Sequence, residues 1–297
     1  MFVMLIGLLT MAVGCSSSGA SSADEKETDD NSNEATSEAD IVSTTVALTE
    51  ITDELDLDLV GVPTSYKHLP DRYQDAEEVG MAMDPDMEII QSLHPDDVLS
   101  VSTLEDDVSD AFEKTNTPVT FVDLESVDGM YDSILDLGEK YDRNSQAEEL
   151  VDEFKQKLSD IETSVQDKEP PNVLILLGVP GSYLVATENS YVGDLVKRAG
   201  GENAIQGEDA EYISSNTEHL QQSNPDIILR MAHGMPEEVV EMFDEEFKEN
   251  DIWKHFKAVQ DGRVYDLEET RFGTTANLAA PEALEELIDI LYSEEAD

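Results

Sequence analysis

Two kinds of soft, neutral metal ligand stand in this chain where a bound group could meet them. His233 follows the apolar run Ile227 to Leu229 in the loop Arg230-Met231-Ala232-His233-Gly234-Met235-Pro236. Imidazole is the commonest metal ligand and also a general base. Met81 and Met83 lie in Val79-Gly80-Met81-Ala82-Met83-Asp84, read as a loop running directly into a helix N-cap. A thioether with an imidazole suits haem iron better than Mg²⁺ or Ca²⁺, which take oxygen ligands. The pair also suits copper, and spacing does not separate Met81 from Met83. Other histidines fit less well: His219 falls on an amphipathic helix, His94 precedes a Pro-Asp break, His255 sits in IWKHF, and His68 stays a loop candidate.

A second chemistry is anion binding. The first predicted helix begins around Thr44 to Thr49, and a helix N-terminus offers free N–H groups and the positive end of the dipole. The loop Pro63-Thr64-Ser65-Tyr66-Lys67-His68 adds a hydroxyl, an amphipathic aromatic and one of the few cations. An ordinary surface turn has the same composition.

These residues need a scaffold. From Ile41 the pattern reads strand, helix from Val46 to Leu57, then strand Leu59 to Val62. Asp84-Pro85 offers an N-cap and a first-turn proline for a helix through Leu93, followed by strand Val98 to Val101. This unit recurs without a gap: Glu88-Ile89-Ile90-Gln91 and Pro95-Asp96 align on Glu218-His219-Leu220-Gln221 and Pro225-Asp226. Two similar α/β lobes are expected. Between them a helical stretch, roughly 128–167, breaks near Asp142-Arg143-Asn144-Ser145, with Ser145 expected as the second helix's cap. Strand Val173 to Leu177 opens the second lobe, and a capped helix from Pro281 to Tyr292 closes it. Alternating strands and helices imply an α/β fold of two Rossmann-like lobes with mainly parallel sheets, which bind ligands beyond their strands' carboxyl ends. The division expected is 41–127 for the first lobe, 128–169 for the bridge and 170–297 for the second lobe.

Ahead of the lobes, Met1 to Gly14 carries no charge and is mostly apolar, too short to span a bilayer at about 20 residues, and reads as a signal-peptide core. Ala12-Val13-Gly14-Cys15 resembles a bacterial lipobox, which makes Cys15 the expected lipidation site. The first basic residue is Lys26, so the positive region of such a signal is expected upstream. Residues 15–40 are Ser-rich and acidic, without an aromatic or a periodicity, and read as a charged tether.

The 297 residues include 17 Lys plus Arg against 69 Asp plus Glu, a formal charge of -52. Nucleic acid and anionic lipid both require basic surface, so neither is an expected partner. Hydrophobic residues still make up 39%, enough for a core, which puts the acid on the surface. Such self-repulsion relaxes when salt shortens the Debye length to about 3 Å at 1 M, pointing to a saline or alkaline habitat. One cysteine excludes an intrachain disulfide. With no G-x-S-x-G, P-loop or H-E-x-x-H, no catalytic constellation is expected.

The segments IVSTTVALTEITDELDLDLVGVPTSYKHLP, VGMAMDPDMEIIQSLHPDDVLSVSTLE, VLILLGVPGSYLVATENSYVGDLVKRAGG, ILRMAHGMPEEVVEMF, NDIWKHF and RVYDLEETRFGTTANLAA together resemble the haem-receptor lipoproteins of the Gram-positive iron-regulated surface determinant system. The resemblance runs from about Ile41 to Tyr292. It implies a receptor of the helical-backbone (class III) type, lobes joined by one long helix, anchored to the extracytoplasmic face of the cell membrane. One haem b per chain would pass to an ABC permease and its ATPase, arriving from a cell-wall relay protein, with the receptor a monomer. By position, Met83 and His233 are the implied axial ligands. Val46, Ala47, Ser65 and Tyr66 are the implied propionate contacts, with Lys67 adding charge. Glu88 and Glu218 resemble a carboxylate pair that docks on permease arginines. A siderophore or cobalamin receptor of the same class is the alternative.

Overall fold

A computed structural model describes residues 39–214, 220 and 223–293. Cys15, Glu218, the signal segment and almost all of the tether lie outside them.

The first sheet has the order β3-β2-β1-β6-β7, formed by β1 (Ile41–Ser43), β2 (Leu59–Val62), β3 (Glu77–Glu78), β6 (Asp97–Val101) and β7 (Val119–Val122). All its pairings are parallel. A separate two-strand hairpin joins β4 (Gly80–Met81) to β5 (Asp84–Pro85). The helices here are α1 (Val46–Glu54), α2 (Met87–Leu93) and α3 (Glu105–Thr115). Two bridging helices follow, α4 (Val127–Lys140) and α5 (Asn144–Thr163). Ala147, Val151, Phe154 and Leu158 of α5 share one buried face by their three- and four-residue spacing.

The second sheet runs β11-β9-β8-β12-β13, with β10 on β8. Its strands are β8 (Asn172–Val179), β9 (Ser182–Ala186), β10 (Glu202–Asn203), β11 (Tyr212–Ser214), β12 (Ile227–Ala232) and β13 (Val264–Leu267). Helices α6 (Tyr191–Arg198), α7 (Pro236–Glu249), α8 (Lys257–Gln260) and α9 (Ala280–Tyr292) accompany it. The sheet is mixed: β8 pairs parallel with β12 and β10, but antiparallel with β9. Pro180-Gly181 folds β8 straight back as a hairpin, with Gly181 at φ 83.

The Pro-Asp repeat has one physical job in both halves. Asp96 accepts the Asp40 amide through its carboxylate at 2.9 Å and returns its own amide to the Asp40 carbonyl at 2.8 Å. Asp226 does the same to Asn172, at 2.9 and 2.8 Å. Each clamp fixes where the lobe's first strand begins. The preceding residues, His94 and Asn224, both take positive φ to make the turn.

Three local expectations are corrected. Asp84-Pro85 is not the start of α2: it is a hairpin strand, and the N-cap is Asp86, whose Oδ1 accepts the amides of Glu88 and Ile89 at 3.0 and 3.1 Å. Two acidic candidates flank that proline, and the backbone bond from Asp86 N to the Val79 carbonyl, at 2.8 Å, favours the second. Ser145 does not cap α5, which opens at Asn144 after Arg143 without a side-chain cap. The first helix ends at Glu54 rather than Leu57, because Asp56 turns left-handed at φ 56.

Candidate functional site

His233 is fixed by the second sheet. Its amide donates to the Gly178 carbonyl at 2.9 Å, continuing the β12–β8 ladder one residue past the strand. Gly234 and Met235 then both adopt left-handed backbone, φ 66 and 50, and Pro236 starts α7. Glycine takes that conformation freely, whereas a methionine there costs about 1 kcal/mol. The imidazole is 47% exposed, with Nδ1 3.8 Å from Glu269 Oε1. No hydrogen bond engages its Nε2 among the described residues. Burial pushes the His233 pKa below the ordinary imidazole value, with Glu269 opposing and Lys67 reinforcing. The neutral ring is the form that binds a metal.

Glu269 organises the mouth of the site. It stands two residues beyond β13 and is only 8% exposed. Its Oε2 accepts the Tyr66 phenol, while Oε1 accepts the Gly234 amide at 3.3 Å and lies 3.6 Å from Lys67 Nζ. One carboxylate thus ties the loop after β2 to the loop after β12. Burial first, then the bond to Glu269, pushes the Tyr66 pKa up, so the phenol keeps its proton and donates.

The methionines stand on a hairpin bonded to the same loop. Ala82 and Met83 form the turn of the β4–β5 hairpin, which hangs on the Tyr66 loop through Thr64 N to Gly80 O at 2.8 Å. Gly80 has φ 92, and a Cβ there would meet Asp86 N at 2.8 Å, so only glycine lets the hairpin close against the start of α2. Met81 and Met83 are 61% and 63% exposed. With Tyr66 at 68% and Met235 at 52%, they are the large exposed apolar side chains among the described residues, and all four sit on segments joined by these bonds. Exposed apolar surface gathered in one place marks a binding site.

At the start of α1, Thr45 caps by accepting the Leu48 amide at 3.3 Å, so Val46 and Ala47 occupy first-turn positions that have no intrahelical acceptor. Ser65 is partly engaged, its hydroxyl accepting the Lys67 amide at 3.0 Å. Burial raises the pKa of Glu50 on α1, opposed by Lys67. Glu88 is exposed in the first turn of α2. His68 is exposed beside Asp71, 3.7 Å away.

Sequence reasoning assigned no role to Glu269, nor to Met235. Glu269 was one acid among 69, and only its place just past a strand end distinguished it.

Parallel strands ending beneath polar loops, with a neutral imidazole on one sheet and thioethers by the other, define a solute receptor with its site at the strand ends. The chain belongs to the periplasmic binding protein family, which matches residues 41–270. It is 55% identical over 255 residues to the high-affinity haem uptake system protein IsdE of Staphylococcus aureus, covering 86% of this chain and 87% of that one. The crystal structure of S. aureus IsdE complexed with haem superposes with a TM-score of 0.84 at 54% identity, covering 86% of this chain and all of that one. An ABC transporter substrate-binding protein from Listeria monocytogenes gives 0.83 at 56% identity with the same coverage.

Proposed function

We propose that this chain is a haem receptor of an ABC importer, holding its cargo between two lobes and surrendering it to a membrane permease. The observation that carries this reading is that Tyr66, Met81, Met83 and Met235, otherwise anomalous exposed apolar side chains, stand on segments tied by hydrogen bonds to one another and to the loop that carries a neutral imidazole at a strand end. Thioether and imidazole donors fit a soft iron porphyrin better than a hydrated Mg²⁺ or Ca²⁺, which takes oxygen ligands. Likeness to IsdE, including the haem complex, supports the same cargo.

In detail, one haem b binds per chain, with His233 Nε2 and the Met83 sulfur as axial ligands. Its propionates meet the free amides of Val46 and Ala47 and the donors of Ser65, Tyr66 and Lys67. Residues 41–127 and 170–297 act as the two lobes, with 128–169 as the bridge. No described helix is long and apolar enough to cross a membrane. Membrane attachment is assigned to a lipid on Cys15, with 15–40 as tether, and permease docking to Glu88 and Glu218. A cell-wall relay protein supplies haem to a monomeric receptor, and no catalytic step is assigned.

The test is an absorption titration of the purified chain with haemin. A stoichiometric complex with a sharp Soret band supports the reading. A His233→Ala variant with unchanged band position and affinity sinks the axial assignment.

A further inference from the structure

We infer that Glu269 is a built-in competitor for the anionic arms of the cargo, and so sets how tightly a carboxylate-bearing ligand is held. This rests on the proposed porphyrin site. Of the donors assigned to a ligand carboxylate at this mouth, two are the Tyr66 phenol and the Lys67 ammonium. Both are already directed at Glu269, whose side chain is 8% exposed and also takes the Gly234 amide. Residues 66 and 269 are 203 apart in sequence, so the contact is made by the assembled lobes.

A propionate reaching Tyr66 and Lys67 must therefore share them with a fixed carboxylate or displace it. Sharing sets two anions against one cation in a partly dry cleft, where repulsion is stronger than in water. Displacement leaves Glu269 a position it already approaches, beside His233 Nδ1 at 3.8 Å and the Gly234 amide. Glu269 thus takes back the phenol and ammonium whenever the ligand arm leaves. This favours release over the tightest grip, as a receptor that hands on its cargo requires. A ligand whose carboxylates are masked by esterification does not engage in the exchange.

The experiment uses iron-free protoporphyrin IX and its dimethyl ester, so that axial ligation plays no part. Affinities are measured for the full chain and for Glu269→Gln, which removes the charge, keeps one oxygen to accept the Gly234 amide and turns the other arm into an NH2 that can donate to the Tyr66 oxygen. The expected result is about tenfold tighter binding of the diacid by the variant, equivalent to one displaced charge contact, with the ester changed less than about twofold. Glu269→Asp, which keeps the charge and shortens its reach, should give a smaller gain for the diacid and guards against misfolding of the first variant. Equal changes for diacid and ester, or weaker diacid binding, overturn the inference. Porphyrin binding that haemin does not strengthen would defeat the axial assignment while leaving Glu269's role intact, and no porphyrin binding at all would overturn both.

Discussion

The amide of Ala276 donates to the carbonyl of Leu124 at 2.7 Å, joining the segment after β7 to the loop before α9. Leu124 is flanked by Asp123 and Glu125, and both push on Glu211, beside β11.

Burial, then Glu125 and Asp123, raise the Glu211 carboxyl from 4.5 to about 7, and its Oε1 is buried without a partner. Between those two values the folded chain holds a proton that the unfolded chain has lost. Stability from this group is therefore greatest below pH 4.5, falls as pH rises to about 7, and is flat above. Glu211→Gln should match the parent near pH 4 and exceed it by about 1–2 kcal/mol at pH 8, after allowing for solvent screening. Denaturant melts at the two pH values check this, and an equal difference at both would refute it.

The two hairpin methionines should separate by spectrum. Met83 occupies the turn and Met81 the strand, and their exposures are nearly equal, so accessibility does not discriminate. Met83→Ala should shift the Soret band of the haemin complex and weaken it at least about tenfold, as loss of one axial ligand demands. Met81→Ala should leave the band in place. The reverse pattern would transfer the ligand role to Met81.

Arg198 is a joint between the bridge and the second lobe. Its guanidinium pairs with Asp128 at 2.8 Å, Glu162 at 2.9 Å and Asp194 at 2.9 Å, at 16% exposure. Asp194 also accepts the Val127 amide at 3.0 Å, where α4 begins. The adjoining groove of about 600 Å³, lined in part by Lys168 and Lys197, takes no lining residue from the loops of Tyr66, Met83 or His233 and reads as part of this joint. Arg198→Met leaves three carboxylates facing one another, a loss of about 2–3 kcal/mol. Tm should drop by about 5–10 °C, while the Soret position of the haemin complex stays the same. A shift in that band would contradict a purely structural role.

A chain of charge -52 repels anionic cargo at long range. Capture then depends on coordination, apolar burial and local donors, so the haemin association rate should hold or rise between 0.1 and 1 M salt as the Debye length shrinks from about 10 to about 3 Å. Tm should rise over the same range. Stopped-flow traces showing a steep fall in rate would overturn this account.

Local rules carried much of the architecture. Strand and helix periods marked β1, α1, β2 and β6, and the Pro-Asp repeat announced two like units because its chemistry is short-range: a turn, and a carboxylate that clamps a nearby strand. They failed at Asp84-Pro85, where two acids could each serve as the cap, at Ser145, and at the end of α1. At the first a backbone partner elsewhere, Val79, made the choice for Asp86, and at the second α5 opens with no side-chain cap at all.

Residue type also put His233 and the methionines forward, since imidazole and thioether chemistry is intrinsic to the side chain. The sequence by itself therefore determined the alphabet of the site, the alternation of its elements and the sign of its field. Only the tertiary structure picked Glu269 from 69 acids and tied the loops of Tyr66 and Met83 to the loop of His233 and Met235. That selection depends on desolvation and on a hydrogen bond spanning 203 residues, and no signal within a few residues of either partner encodes it.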